Sequence, residues 1–212
     1  MGKKCIRCIC FMLGILINSF GIAFITKAAL GTSPISSLPY VLCMKFPLTL
    51  AQFTFVMYMI FILMQIFLLK KDFQKRQLLQ IGVNVIFSAF IDISMNMLDA
   101  FAPSGTSAQI LSLLAGCVIL AMGISIEVAP NVHLVPGEGV VKAISAVSRK
   151  RFGTVKVVFD TTLITLSFIL SLLFFHRLNG LGIGTVISAL AVGKIVNLCN
   201  RTKLIGKIRA LS

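Results

Sequence analysis

Apolar residues in this chain fall in long blocks rather than in the periodic spacing of amphipathic helices or half-buried strands. A helix needs about 20 largely apolar residues to cross a bilayer core of about 30 Å. Six blocks approach or exceed that length: Ile9–Ile25, Phe53–Leu69, Leu79–Leu98, Ile110–Val128, Val155–Phe175 and Leu181–Leu198. The sixth is the weakest, but its recurring small residues would let membrane helices approach closely. The sequence therefore predicts an all-α membrane protein with six transmembrane helices.

The amino-acid composition excludes an ordinary soluble domain. Of 212 residues, 58% are hydrophobic and 12% are charged, whereas soluble domains are about 45–50% apolar and about 25% charged. A soluble fold of this composition would lack enough polar residues to cover its surface.

Basic residues are distributed along the chain as the positive-inside rule requires. The formal net charge of +14 would also suit a nucleic-acid-binding protein. However, fifteen Lys and Arg residues lie before the first block, in the second and fourth connections and after the last block, against three in the other connections. A nucleic-acid site would need them clustered beside exposed aromatic side chains. We therefore predict the inner or cytoplasmic membrane as the location, both termini in the cytoplasm, and no nucleic-acid partner.

The first block shares features with a secretory signal peptide, namely a basic start, an apolar core and the small residues Ala28 and Ala29. Its core is long for that role, and Lys27 is poorly placed beside a cleavage site, so we predict a retained span. The six cysteines lie mostly in spans or on the reducing side, which predicts no disulfide framework. Three of them near the N-terminus resemble half of a metal site that no second pair completes. We expect no metal or other cofactor.

Two sequence matches indicate an internal repeat. Gly21–Phe24 resembles Gly123–Ile126, and Gly82–Ala89 aligns with Gly182–Ala189. A repeat of three spans must enter the membrane from the opposite side in its second copy, and such inverted repeats are common in secondary transporters. The alternative is that apolar helices resemble each other through shared composition. The predicted organisation is one integral membrane domain over 1–212, with repeats at 9–98 and 110–198 and a basic cytoplasmic tail at 199–212.

Each half carries a turn-rich segment before a short apolar stretch, Leu30–Leu42 in the first half and Val135–Ser145 in the second. Ser33 followed by Pro34 is typical of a helix N-cap and first helical position. The short helices either lie at the membrane interface or re-enter the membrane, buried in protein or beside a wet cavity. Re-entrant N-termini would attract anionic or polar ligand groups. The substrate-binding candidates are Thr32, Ser33, Pro34, Ser36, Ser37, Gly137 and Glu138.

Ionisable side chains inside the predicted spans include Asp92, Glu127, Asp160 and Lys194, and each would cost about 2.5–3.5 kcal/mol at the bilayer centre. Asp92 shares a helical face with Asn96 and is the better candidate for binding a proton or cation. Glu127, Asp160 and Lys194 lie near the cytoplasmic ends of their spans. There, an ion pair of Lys194 with either acid would lower the cost of burial. The alternative is that these three side chains reach the polar headgroups. The candidates for ion or proton coupling are Asp92, Asn96, Glu127, Asp160 and Lys194.

The sequence lacks the common catalytic motifs H-E-x-x-H, G-x-S-x-G and the phosphate-binding P-loop. We therefore assign no catalytic residue and expect no enzyme. The leading hypothesis is a secondary transporter or exporter of an unidentified small molecule. The alternative is a non-transporting accessory factor or scaffold that binds cytoplasmic partners through Arg149–Arg151. The expected partners are the lipid bilayer and the small molecule, with a homodimer left open.

Two segments resemble the YczE/YyaS/YitT-type bacterial membrane proteins: Ala29–Leu42 (ALGTSPISSLPYVL) and Gly180–Val196 (GLGIGTVISALAVGKIV). The resemblance extends over nearly the whole chain and is most specific at the GTSP and GxGT positions. It implies a bacterial multi-pass membrane protein but no particular substrate or catalytic residue. The family pattern often has proline at the position of Lys194, which makes Lys194 a weaker site candidate.

Overall fold

The computed structural model describes residues 3–130 and 135–210, and the regular structure in these ranges is helical. The helices are α1 (Lys3–Lys27), α2 (Pro34–Cys43), α3 (Leu50–Leu69), α4 (Leu79–Met97), α5 (Thr106–Val128), α6 (Pro136–Ser148), α7 (Phe152–Phe175), α8 (Ile183–Cys199) and α9 (Lys203–Arg209). Two short 3-10 turns, Lys70–Asp72 and Lys75–Leu78, connect α3 to α4. The predicted all-α class is confirmed.

Five helices of the described chain are long and apolar enough to cross a membrane: α1, α3, α4, α5 and α7. Helix α8 has 17 residues, or about 25 Å at 1.5 Å per residue, slightly less than a bilayer core. It is followed by α9 at an angle of 75°, and the pair counts as a sixth span if taken together. The six predicted blocks begin and end within six residues of α1, α3, α4, α5, α7 and α8.

Helices α1 and α5 form the most extensive helix–helix contact of the fold. They run antiparallel, and a glycine lies on one side of each successive contact. The pairs along α1 are Gly14 with Glu127, Asn18 with Gly123, Gly21 with Leu120, and Ile25 with Gly116. A Cβ atom on Gly21 would lie 2.6 Å from the Cα of Leu120, and one on Gly123 would overlap the backbone nitrogen of Asn18. The missing side chains therefore let the two backbones touch, as small residues do in membrane helix pairs.

The order of helices in the first half recurs in the second half. Each half has a long helix, a short helix that begins with proline, and two longer helices. Pro34 and Pro136 are 102 positions apart, and so are Gly14 and Gly116. Helix packing recurs in the same way, because α1 packs on α4 as α5 packs on α8, and α2 packs on α7 as α6 packs on α3.

Candidate functional site

The first turn-rich segment is held against the start of α8. The backbone N–H of Thr32 donates to the Thr185 hydroxyl at 3.2 Å, and the Ser188 hydroxyl donates to the Thr32 carbonyl at 3.2 Å. The backbone N–H of Gly184 donates to the Leu30 carbonyl at 2.9 Å, an approach that a Cβ on Gly184 would obstruct at 2.6 Å. The two segments that carry the YczE/YyaS/YitT-type resemblance are therefore direct neighbours in the fold.

The serine residues of α2 use their hydroxyl groups inside the protein. Ser33 caps the helix, accepting from the Ser36 backbone N–H at 3.4 Å and donating to the Ser36 hydroxyl at 2.9 Å. The Ser37 hydroxyl donates to the Pro34 carbonyl at 2.6 Å and shares a 2.9 Å hydrogen bond with Ser167 of α7. The predicted N-cap and first helical position are confirmed. A ligand of these hydroxyls would have to replace existing hydrogen bonds.

Thr185→Val tests how strongly α8 holds this segment. Valine keeps the side-chain volume but leaves the buried N–H of Thr32 without its acceptor, and such a loss costs about 1–3 kcal/mol. We expect a lower melting temperature in detergent for Thr185→Val. Thr161→Val is the matched control, because the exposed Thr161 hydroxyl bonds only to the Val157 carbonyl of its own helix. Equal melting temperatures for the two variants would contradict the structural role of Thr185.

The start of α6 is held by two glutamines of neighbouring spans. Gln65 of α3 and Gln80 of α4 form reciprocal amide hydrogen bonds of 3.1 and 3.2 Å, and the Gln65 amide also donates to the Pro136 carbonyl at 3.4 Å. A Cβ on Gly139 would lie 2.8 Å from Gln65 and 3.0 Å from Gln80. Hydropathy treats both glutamines only as interruptions of apolar blocks, and the sequence analysis did not identify them.

The N-terminal turns of α2 and α6 meet inside the protein. A Cβ on Gly137 would lie 3.0 Å from the Cδ1 of Ile35. From this contact α2 leads toward the end of α7, where the rings of Phe46 and Phe174 meet edge-on with centroids 5.7 Å apart. Helix α6 leads past Gln65 toward the end of α3. The two short helices thus begin together and diverge, and both N-termini face the interior.

Glu127 lies at the end of α5 and is only 1% exposed. Its carboxylate accepts a 2.7 Å hydrogen bond from the Asn18 side-chain amide and another from the backbone N–H of Val135, the residue that precedes α6. The opposing residue on α1 is Gly14, near the middle of that 25-residue helix. Among the described residues no salt bridge involves Glu127. A carboxylate in the last helical turn also opposes the helix dipole, so helix stability does not account for its position.

Glu138 lies near Glu127, and Asp160 lies near Glu138. Glu138, in the first turn of α6, interacts electrostatically with Glu127, Lys156 and Asp160. Lys156 and Asp160, one turn apart on α7, form a salt bridge of 2.9 Å. We call Glu127, Glu138 and Asp160 the acidic cluster. It unites residues that the sequence assigned to two different sets, one for substrate binding and one for coupling.

Tyr58 of α3 completes this region and was not identified from the sequence. Its ring stacks on Phe87 and Phe61 with centroids 5.6 and 5.8 Å apart, and the residue is 3% exposed. The hydroxyl oxygen lies 3.5 Å from the Cβ position of Gly137 and interacts electrostatically with all three acidic residues. No described residue forms a hydrogen bond with this hydroxyl. A polar group is therefore fixed beside the carboxylates with hydrogen-bonding capacity to spare.

The other coupling candidates lie away from the acidic cluster. Asp92 is half-buried on α4, and Asn96 and Lys194 are exposed. The salt-bridge partner of Asp160 is Lys156, not Lys194. Helical spacing placed Asp92 and Asn96 together correctly, but it carried no information about which spans pack against each other.

Comparison with known proteins gives one result for this chain. The model of DUF6198, a family of unknown function, matches residues 5–201. The chain belongs to DUF6198. No curated protein and no solved structure matches. The resemblance to YczE/YyaS/YitT-type proteins is not tested by the DUF6198 match and stays a prediction.

The acidic cluster gives this DUF6198 protein a defined chemical capability. A buried carboxylate without a cationic partner is strongly disfavoured in its charged form. Glu127 therefore has two favourable states, one with a bound proton and one with a nearby cation. Tyr58 and Glu138 add oxygen atoms beside it that a ligand with hydrogen-bond donors would contact. The arrangement suits the exchange of a proton for a positively charged ligand.

Proposed function

We propose that this protein is a secondary transporter of a small molecule, driven by proton exchange at Glu127. It would lie in the cytoplasmic membrane with both termini in the cytoplasm, as the distribution of Lys and Arg favours. The observation that carries the proposal is Glu127 itself, a carboxylate buried at the contact between two apolar helices without a salt bridge among the described residues. Ionisable groups in membrane spans commonly serve proton or ion pathways, because their burial is costly.

Proton exchange at Glu127 would couple two events at one site. When the site is empty, the buried carboxyl is neutral and holds the proton, with Asn18 and the Val135 N–H around it. When a cation enters, its charge stabilises the carboxylate and the proton leaves. Because both cannot be held at once, movement of one ligand in one direction drives the other in the opposite direction.

The repeated helix order supports this mechanism as an inverted repeat. Transporters of that plan bind substrate where the two repeats meet, at helices that end within the membrane. Here the N-terminal turns of α2 and α6 meet at Ile35 and Gly137, next to the acidic cluster. A 102-residue offset relates Pro34 to Pro136, and the matched packing of the two halves fits one duplicated unit.

Alternating access assigns a role to each set of hydrogen bonds at the short helices. The contacts of Thr32 with Thr185 and Ser188 would close one side of the site. The Gln65–Gln80 pair would close the other side through Pro136. Ser33, Ser36 and Ser37 then contribute to substrate binding when the first set opens, and Gly137 and Glu138 when the second set opens.

Glu127→Gln tests the coupling role. We expect the infrared carbonyl band of a protonated buried carboxyl in the wild-type protein and its loss in Glu127→Gln. In proteoliposomes loaded with a pH-sensitive dye, we expect a panel of metabolites and drugs to include compounds that drive proton movement through the wild-type protein. Glu127→Gln should reduce that proton movement to the level of empty liposomes, because the glutamine side-chain amide neither binds nor releases a proton near neutral pH.

Asp99→Asn is the matched control, since Asp99 forms an exposed 3.1 Å salt bridge with Lys27 outside the cluster, and it should retain proton movement. Asp92→Asn compares the candidate favoured by sequence with the one favoured by packing. Proton movement that survives in Glu127→Gln, or that is lost only in Asp92→Asn, would refute coupling at Glu127. If no compound of the panel drives proton movement through the wild-type protein, the proposed transport is refuted.

A further inference from the structure

We infer that the ligand exchanged for the proton is a small organic cation, bound as an ammonium group between the acidic cluster and Tyr58. The inference rests on the proposed transport function and adds the chemical class of the substrate. It depends on two features of the site: an excess of negative groups, and the tyrosine hydroxyl that lies beside them without a hydrogen-bond partner among the described residues.

Among the described residues that the electrostatics of the site involve, three are acidic and one is basic. Lys156 is the only basic side chain among the described residues that forms a salt bridge there, and it pairs with Asp160. Glu127 and Glu138 remain without such a pair. A cation that enters the site would be stabilised by Glu138 and, once the proton has left, by the carboxylate of Glu127, whereas an anion would be repelled by the same charges.

At the N-terminus of α6, a carboxylate of the protein itself lies where the sequence predicts an anionic ligand. The backbone N–H of Val135 already donates to Glu127. The protein's own carboxylate thus takes the place that an anionic ligand would have used, and the face presented to a ligand is negative.

Tyr58 provides the recognition element that a carboxylate alone lacks. Tyr58 as a residue is 3% exposed, and its hydroxyl forms no hydrogen bond with a described residue. The charges of all three carboxylates act on this hydroxyl. It can accept a hydrogen bond from an N–H group of an ammonium ion. The rings of Tyr58, Phe61, Phe87 and Phe159 form a connected group, with the Phe61 and Phe159 centroids 5.2 Å apart. This packing holds the tyrosine hydroxyl in a fixed position.

A metal ion fits the same residues less well. Within residues 3–130 and 135–210, no three His, Cys, Asp or Glu side chains come close enough to share one metal ion. The carboxylates are therefore spread around a volume rather than focused on a point. An organic cation, which spans several ångströms, can contact separated oxygens that a single small ion cannot reach together.

Tyrosine fluorescence offers a direct test, because the chain has two tyrosines and no tryptophan. In Tyr40→Phe, Tyr58 is the only tyrosine, and its emission reports on the site. We expect butylammonium to change this emission in a saturable way and to release protons from the purified protein. Butanol, the uncharged counterpart of butylammonium, and sodium chloride at equal ionic strength should do neither.

Two variants identify the contacts. Glu127→Gln, in the Tyr40→Phe background, should abolish the saturable response. Tyr58→Phe, measured through proton release, should weaken butylammonium binding by about tenfold or more, as expected for loss of one hydrogen bond to a charged group. Tyr40→Phe alone should bind like the wild-type protein.

The outcomes separate this inference from the proposed function. Equal responses to butanol and butylammonium, or ammonium binding that Glu127→Gln leaves intact, would overturn the organic-cation assignment. Proton release caused by sodium alone would also overturn the organic-cation assignment. If the infrared band is present in the wild-type protein and lost in Glu127→Gln, proton binding at Glu127 would still stand. Loss of both the infrared band and all proton release would remove the proposed function as well.

Discussion

Gly123→Leu is expected to abolish recovery of folded protein from membranes. The backbones of α1 and α5 touch at Gly123, where even a Cβ atom would overlap the Asn18 backbone nitrogen. Leucine would force the two helices apart along their whole contact, and that contact is the largest in the fold. Overpacking of a well-packed core typically costs about 1–3 kcal/mol when side chains and backbone can shift. Two backbones in direct contact leave little room for such shifts, so we expect a larger loss. The measurement is the monodisperse fraction in size-exclusion chromatography after detergent extraction.

Gly82→Leu is the matched control, because a Cβ on Gly82 in α4 would meet no atom within 4 Å. It should be recovered like the wild-type protein. Alanine sharpens the comparison, since alanine is more favourable than glycine in a helix by about 1 kcal/mol. Gly82→Ala should leave the melting temperature unchanged or raise it, and Gly123→Ala should lower it. A similar effect of alanine at both positions would show that α1 and α5 do not pack as described.

The spans could be read from the sequence because each depends on its own residues alone. Block length located the long helices, and Ser33 followed by Pro34 located the start of α2. The repeat match of Gly21–Phe24 with Gly123–Ile126 already contained the 102-residue offset that relates the glycines of α1 to those of α5. Extending that offset to Gly14 and Gly116 would have shown that both helices carry the same pair of glycines, residues that allow close packing of membrane helices.

The acidic cluster could not be read from the sequence, because it depends on which spans become neighbours. Glu127 and Glu138 were placed in different categories, one as a residue of a span and the other as part of a turn-rich segment. Tyr58 carried no signal at all, since a tyrosine within an apolar helix is unremarkable until its hydroxyl is seen beside carboxylates. Asp92 looked more favourable than Glu127 because helical spacing gave it a polar neighbour, whereas the partner of Glu127 is on another helix.

Cross-linking the starts of α2 and α6 is expected to stop the proposed transport completely without unfolding the protein. Ile35→Cys with Gly137→Cys, in a background without the six native cysteines, places two thiols where the Cβ position of Gly137 lies 3.0 Å from the Ile35 side chain. Opening of either side of the site must separate or reorient these turns if the two halves move against each other. A short bis-methanethiosulfonate reagent should reduce compound-driven proton movement to background, and a reductant should restore it.

The control is a cross-link within one half of the protein. Lys27→Cys with Asp99→Cys joins the ends of α1 and α4 at an exposed 3.1 Å salt bridge, and both helices belong to the first half of the chain. That link leaves the two halves free to move relative to each other, so compound-driven proton movement should continue. If the link between Ile35→Cys and Gly137→Cys forms and transport continues at the unlinked rate, the two short helices do not separate during the cycle, and the site would have to open by movement of the long spans. Loss of transport in that pair alone would place the moving boundary between the two N-terminal turns, beside Glu138 and Tyr58, where proton and ligand are proposed to exchange.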